Sequence, residues 1–244
     1  MQLKGKTALV TGASRGIGRA IVLELAQKGV ARLLVIARDR QRLAELIAEA
    51  QALNPEVQVI PLAVDLSQTS AASIAISQAW RAYGPIHLLV NNAGVAHQTP
   101  FLESQPRQVE AEINVNLVGM YTITRLIARR MATRGDGIII NVSSLMGKLA
   151  APTFATYSAT KFAILGFTQA LRAELAPRNV RVIALLPSLT ETDMVRHTKR
   201  FRWVLPTTPE TVAKALSKGL EQGSNEIFVN WQSKVTAVLT SIFP

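Results

Sequence analysis

A chain of 244 residues, 48% apolar and 18% charged, has room for one large domain with a sizeable core and lacks the composition of a disordered chain. It holds no cysteine and three histidines far apart in sequence (His87, His97 and His197), which excludes a disulfide framework or thiolate metal site and makes a zinc-dependent mechanism unexpected. The net charge of +11 and pI near 10.6 admit an anionic partner (nucleic acid, anionic lipid, an acidic carrier protein or a phosphorylated cofactor) or a scattered basic surface with none.

The N-terminal MQLKGKTALVTGAS has only a short apolar run before a glycine turn, unlike a secretory or transit signal. No stretch reaches the roughly 18 unbroken apolar residues of a spanning helix, so the expectation is a mature, soluble, cytoplasmic protein. Basic residues concentrate in RLIARRMATR from Arg125 and VRHTKRFRW from Val195. Neither carries the aromatic interleaving or module motif of a nucleic-acid reader, and no nucleic-acid partner is expected.

In chain order the candidate strands are TALVTG from Thr7, LLVIA from Leu33, VQVIPLAVD from Val57, IHLLVNNAG from Ile86, GIIINVSS from Gly137, VRVIALLP from Val180 and EIFVN from Glu226. Most are continuously apolar rather than alternating, as in a parallel sheet covered by helices on both faces. Between them lie amphipathic stretches such as RQRLAELIAEAQAL from Arg40 and SIAISQAWRAYG from Ser73. The last clear helix opens at TTPE, with Thr207 or Thr208 as cap and Pro209 in the first turn, and closes near Gly223. Repeated strand–helix alternation implies right-handed crossovers and a doubly wound α/β sheet of about seven strands. With no linker, repeat or low-complexity tract, residues 1–244 read as one domain. Ligands of such sheets sit beyond the carboxyl ends of the strands, where strand order reverses.

After the first strand comes TGASRGIGRAI, with Gly12, Gly16 and Gly18. Strand, glycine turn and helix in that order let backbone N–H groups approach a pyrophosphate, although the spacing differs from the usual G-x-G-x-x-G. The second strand ends VIARDRQRL, where an NAD enzyme commonly carries an acid for the ribose 2′-hydroxyl. Arg38 stands there instead, and Arg15 lies within the glycine loop; two guanidiniums suit a 2′-phosphate, which favours NADP over NAD. Asp39 is read as the cap of the following helix. At the third strand's end, Asp65 is read as an acceptor for an adenine amino group, a helix cap, or both. The NNAG turn (Asn91, Asn92, Ala93, Gly94) lets backbone lie against a ribose or nicotinamide.

The fifth strand ends NVSSLMG, placing Ser143 and Ser144 at the mouth of the sheet, and YSATK follows with Tyr157 and Lys161 four residues apart. That spacing puts phenol and ammonium on one helix face. Asn116, in NVNLVG, is placed near the start of the preceding helix. Taken singly, each has an ordinary structural reading: cap, turn residue, half-buried aromatic, solvated charge.

The ordered set TGASRGIG, Asp65, NNAG, Asn116, Ser144 and YSATK resembles the short-chain dehydrogenase/reductase family, from about Lys4 to Met194. The resemblance implies a Rossmann fold, NAD(P)-dependent oxidoreduction, and Asn116, Ser144, Tyr157 and Lys161 as a catalytic tetrad. It further implies cofactor contacts from Gly12, Ser14, Arg15, Gly16, Ile17, Gly18, Arg38, Asp65, Leu66, Asn92, Ala93, Gly94, Tyr157, Lys161, Pro187, Leu189 and Thr192. In this scheme Lys161, backed by the positive nicotinamide of the oxidised cofactor, lowers the pKa of Tyr157 from its ordinary value near 10 and grips the nicotinamide ribose. Tyr157 exchanges a proton with the substrate oxygen as hydride moves, Ser144 holds that oxygen, and Asn116 supports a water leading from Lys161 to solvent. The family's Pro-Gly after the sixth strand is Pro187-Ser188 here, which puts the local backbone in question because glycine adopts positive φ more readily.

Residues 190–206 are expected to form a substrate lid mixing Met194, Phe201, Trp203 and Leu205 with Arg196, Lys199, Arg200 and Arg202. With Val95, His97, Leu145, Met146 and Phe154 they predict an apolar pocket with a basic mouth, suited to an apolar ketone or aldehyde, free or on an anionic carrier; equally, the lid aromatics simply pack the lid. The chain ends EIFVNWQSKVTAVLTSIFP rather than in the glycine-rich segment common in acyl-carrier reductases, which weakens a role in fatty-acid synthesis. The apolar run from Val235 to Phe243 would pack on another subunit or lie on an anionic membrane. The alternatives to a reductase are a cofactor-sensing module without catalysis, and an epimerase or dehydratase using the same tyrosine. The resemblance also implies a homodimer or homotetramer through the helices bearing Asn116 and Tyr157.

Overall fold

The strands form where the apolar runs stand, and alternate residues of each feed opposite cores. In a computed structural model describing residues 3–196 and 206–230, seven parallel strands lie in the order β3-β2-β1-β4-β5-β6-β7. They are β1 (Thr7–Thr11), β2 (Arg32–Ala37), β3 (Gln58–Ala63), β4 (Leu88–Asn91), β5 (Gly137–Val142), β6 (Val180–Leu186) and β7 (Glu226–Phe228). Ala8, Val10, Leu33 and Val35 turn to one side, against helices α1 (Gly16–Gln27), α2 (Arg40–Leu53) and α7 (Pro209–Gln222). Leu9, Leu34, Ile36 and Ile139 turn to the other, against α3 (Thr69–Tyr83), α5 (Met120–Arg134) and the C-terminal half of α6 (Ala155–Leu175). Burial on both faces explains why these strands are continuously apolar.

β1 pairs with β2 on one side and β4 on the other. Strand order reverses between β1 and β4, so the crevice beyond their carboxyl ends is where a ligand fits. α2 begins at Arg40, with the Asp39 carboxylate capping the Arg42 N–H at 3.0 Å. In α7, Thr208 caps the Thr211 N–H, Pro209 opens the helix, and Gly223 closes it at φ 73°.

Three expectations need correction. Asn116 lies well inside a helix rather than near its start: α4 (Pro106–Ile113) runs through a π-helical stretch, Asn114–Gly119, directly into α5. Its neighbours Asn114 and Gly119 read locally as a boundary, but Pro106 has already begun the helix and packing carries it on. α3 starts at Thr69, too late for Asp65 to cap it; the Asp65 carboxylate instead closes a turn by accepting from Ser67 N–H at 2.9 Å and Ser67 O–H at 2.8 Å. Ser188 has no positive φ, so the serine sits in the Pro-Gly position without backbone strain. Of the expected lid, Thr190 bridges to Thr207 and Asp193–Val195 form a 3-10 turn. His197, Lys199, Arg200, Phe201, Arg202, Trp203, Leu205 and the Val235–Phe243 run lie outside the described residues.

Candidate active site

The crevice is a cleft of about 820 Å³, within the range of small-molecule and cofactor sites. Its floor is the glycine loop. Gly12 and Gly16 have φ of +64° and +54°, a left-handed backbone that side chains disfavour. Ser14, Arg15 and Ile17 line the cleft, which opens on the N-terminus of α1. Gly18 does not line it; a methyl there would collide with the Gly12 carbonyl and the Asn92 amide beneath the loop. Asn92 ties this loop to β4, its Nδ2 donating to the carbonyls of Thr11 (3.0 Å) and Gly12 (3.2 Å), while Thr11 Oγ1 accepts from the Ala93 N–H. A side-chain-free cradle at a helix N-terminus fits a pyrophosphate.

One end of the cleft is cationic. Arg38 is mostly exposed and lies 3.5 Å from Asp65, beside Leu66. Arg15 lies 3.6 Å from Asp193, and Arg42, at the start of α2, is 3.1 Å from the same carboxylate. Arg42 was missed in the sequence, although the run Arg38, Arg40, Arg42 was a visible signal. Burial acts to raise the Asp65 carboxyl, but its bonds from Ser67 and the nearby Arg38 outweigh that and hold it low. The Arg42 hydrogen bond, joined by the charges of Arg196, Arg15 and Arg42, holds Asp193 low although burial acts to raise it.

At the other end stand the tetrad residues. Tyr157 and Lys161 occupy the first turns of α6, with Lys161 Nζ 5.4 Å from the centre of the phenol ring. Lys161 is buried and donates to the Val142 carbonyl at 3.0 Å; burial pushes its ammonium down to about 8. Ser144 lines the cleft and accepts from the Met146 N–H at 3.1 Å. Behind this wall, buried Asn116 clamps the segment after β4. Its Oδ1 accepts from Val95 N–H (2.9 Å), and its Nδ2 donates to the Val95 carbonyl (3.0 Å) and to Thr160 Oγ1 (3.1 Å). Gly94 packs here because a Cβ would stand 3.3 Å from Asn116 Oδ1 and 3.7 Å from Lys161 Nζ. Pro187, Leu189 and Thr192 also line the cleft, Thr192 so near Gly16 that a Cβ there would meet it at 3.0 Å.

The expectation that Tyr157 has a lowered pKa does not hold for the chain by itself. Burial pushes the phenol up to about 12; hydrogen bonding from Ser144 pulls it down, and the charge of Glu112 adds to the rise. Lys161 sits over the ring and is itself driven toward neutrality, so it offers little to offset the desolvated phenolate. Val95, Leu145, Met146 and Phe154 line the cleft as expected. His97 does not: it turns into a separate side cavity against Glu112, a residue the sequence did not single out.

Among the described residues no three His, Asp or Glu side chains group as metal ligands, and no helix is long and apolar enough to cross a membrane. A glycine cradle at the switch point of a parallel sheet, with a tyrosine–lysine pair at its far end, defines a dinucleotide-dependent oxidoreductase. Residues 6–203 match the short chain dehydrogenase family, and the chain belongs to that family, whose members act on alcohol and carbonyl groups with a nicotinamide cofactor. Among curated proteins it is 34% identical over 243 residues to the ketoacyl reductase HetN of Nostoc sp., covering 98% of this chain and 83% of that one. It is 37% identical over 195 residues to L-xylulose reductase of Mus musculus, covering 80% and 75%. Among solved structures, a short chain dehydrogenase from Burkholderia cenocepacia in complex with NADP superimposes with a TM-score of 0.85 at 31% identity, covering 100% of this chain and 95% of that one.

Proposed function

We propose that this protein is an NADP(H)-dependent reductase of apolar ketones or aldehydes, with Tyr157 as the general acid. The observation that carries this reading is the single cleft uniting the glycine cradle, a three-arginine end and the Tyr157–Lys161–Ser144 wall. Gly12, Ser14, Gly16 and Ile17 would cradle the pyrophosphate. Arg15, Arg38 and Arg42 would take a 2′-phosphate, which guanidiniums grip through paired N–H donors. Asp65, Leu66 and Ala93 would border the adenosine half, and Pro187, Leu189 and Thr192 the nicotinamide half. The bound cofactor supplies the hydride.

The chain's own residues manage the proton. Ser144 holds the substrate oxygen, and a phenol that keeps its proton is ready to donate it to the developing alkoxide. Lys161 would bond the nicotinamide ribose, and the positive charge of the oxidised cofactor would supply the phenolate stability that burial takes away. Asn116 holds the Val95 segment and the start of α6 in register. Val95, Leu145, Met146, Leu149, Phe154 and Met194 give the substrate end an apolar lining, which supports a hydrophobic carbonyl compound. A homodimer or homotetramer and a cytoplasmic location, where the cofactor pool lies, belong to the same reading. The test is NADPH oxidation over a panel of carbonyl compounds. Tyr157→Phe should lower kcat by about a hundred- to ten-thousand-fold, with NADPH affinity retained. A Tyr157→Phe enzyme with wild-type turnover would overturn the assignment.

A further inference from the structure

Arg15 and Arg42 come from different elements, the glycine loop and the first turn of α2, yet their guanidiniums converge on one oxygen. That oxygen is Oδ2 of Asp193, 3.6 Å from Arg15 and 3.1 Å from Arg42, while Oδ1 lies 3.0 Å from Arg196. Three cations gathered around one carboxylate make an anion site that the chain itself fills. The neighbouring carboxylates have local work: Asp39 caps α2, and Asp65 accepts from Ser67. Asp193 belongs instead to the 3-10 turn after β6, beside Met194 of the apolar lining. Backbone contacts hold that turn in place. The Glu191 N–H donates to the Thr207 carbonyl at 2.9 Å, and the Thr207 N–H to the Leu189 carbonyl at 2.8 Å. Thr192 then packs against Gly16, so Asp193 meets the arginines from a segment anchored one and two residues earlier.

We propose that Asp193 is a specificity-determining residue: its carboxylate competes with the 2′-phosphate of NADP(H) for Arg15 and Arg42, and so moderates the preference for NADP(H) over NAD(H). The proposal rests on the reading that these arginines take a 2′-phosphate. A phosphate gripping the two guanidiniums would need the N–H groups that Asp193 holds, and its charge would repel the carboxylate. A cofactor with a 2′-phosphate therefore displaces Asp193 from Arg15 and Arg42 as it binds, whereas one with a 2′-hydroxyl leaves both pairs intact. The arginines are partly exposed, Arg15 at 55% and Arg42 at 43%, so the handicap is modest, about three- to ten-fold in affinity. Displacement also links the two ends of the cleft, because the turn that gives up its arginines is the one that carries Met194.

The test is calorimetric titration of the full chain at low salt with 2′-AMP and, separately, 5′-AMP, a readout that needs no turnover. Asp193→Asn should tighten 2′-AMP binding about three- to ten-fold and leave 5′-AMP nearly unchanged. Asp193→Ala, which lacks the amide, should do the same, and NADP⁺ against NAD⁺ should show the same contrast. In an Arg42→Ala background the gain from Asp193→Asn should shrink, because a partner in the competition is gone. Unchanged or weaker 2′-AMP binding in folded samples of either variant overturns the proposal. Equal gains for the two nucleotides, or a gain undiminished in Arg42→Ala, would mark a general charge effect and overturn it too. Failure of the underlying reading shows separately, as a 2′-AMP affinity that survives replacement of both Arg15 and Arg38 by alanine, and it takes the proposal with it. Loss of affinity there, with no gain in Asp193→Asn, overturns the competition alone.

Discussion

Lys161 shows how burial and chemistry are linked in one side chain. Its ammonium has an ordinary value of 10.5 and is pushed down to about 8 because the group is enclosed. Between about pH 8 and 10 the unfolded chain therefore binds more protons at this residue than the folded one, and stability rises with pH. The Tyr157 phenol, raised from 10.0 to about 12, adds the opposite slope only above that window. Denaturant unfolding across it should show increasing stability in wild type and a flat profile in Lys161→Met. Glu112 has the reverse sign: burial raises its carboxyl even though bonds from His97 lower it. Its stability contribution is intact below the ordinary value of 4.5 and is lost as pH rises through the raised one. None of these directions was legible in the sequence, where a lysine four residues after a tyrosine fits a solvated helix face equally well.

At the scale of elements, the glycine loop and the first turns of α1 and α2 act as one unit. Gly18 is needed less for freedom of φ than for close approach, since its hydrogen faces the Gly12 carbonyl and the Asn92 amide. Gly18→Ala should cost about 1–3 kcal/mol through overpacking. It should also raise the KM for NADPH, because the displaced carbonyl belongs to the cradle; melting curves and cofactor kinetics would register the two effects separately. Arg15 and Arg38 are more than half exposed and project into the cleft from β1's loop and β2's end. Replacing both by alanine should cut kcat/KM for NADPH about a hundred- to ten-thousand-fold while leaving NADH nearly unchanged, since each charge-assisted phosphate bond contributes about 1.5–3 kcal/mol. Equal losses with both cofactors would place the 2′-phosphate elsewhere. The π-helical stretch between α4 and α5 is the element that sequence pattern missed, because its departure from α-helical bonding leaves the apolar periodicity almost untouched.

On the scale of the whole molecule, the sheet is closed on both faces, but the outer surface of α5 and α6 is not. Tyr121 (53% exposed) and Phe162 (44%) stand there with Val118, and Tyr121 packs its ring against Phe167 at 5.5 Å. Exposed aromatics grouped beside the elements that carry Asn116 and Tyr157 fit a subunit interface. Phe162→Glu should convert an oligomer to monomer in sedimentation velocity, with the fold intact by circular dichroism. A monomeric wild type would remove the oligomer from the proposed function.

By itself the sequence determined the strand runs, the caps at Asp39 and Thr208, the glycine loop and the Tyr157–Lys161 spacing. Each of these is written in residues within a few positions of one another, where apolar period, backbone freedom and capping chemistry operate. Tertiary structure alone decided which distant groups meet and in what dielectric. Arg42 reaches Asp193 from 151 residues away, and His97 leaves the cleft to join Glu112. In the chain by itself the Tyr157 phenol is raised rather than lowered, because desolvation depends on everything folded around the ring and not only on the lysine one turn along the helix.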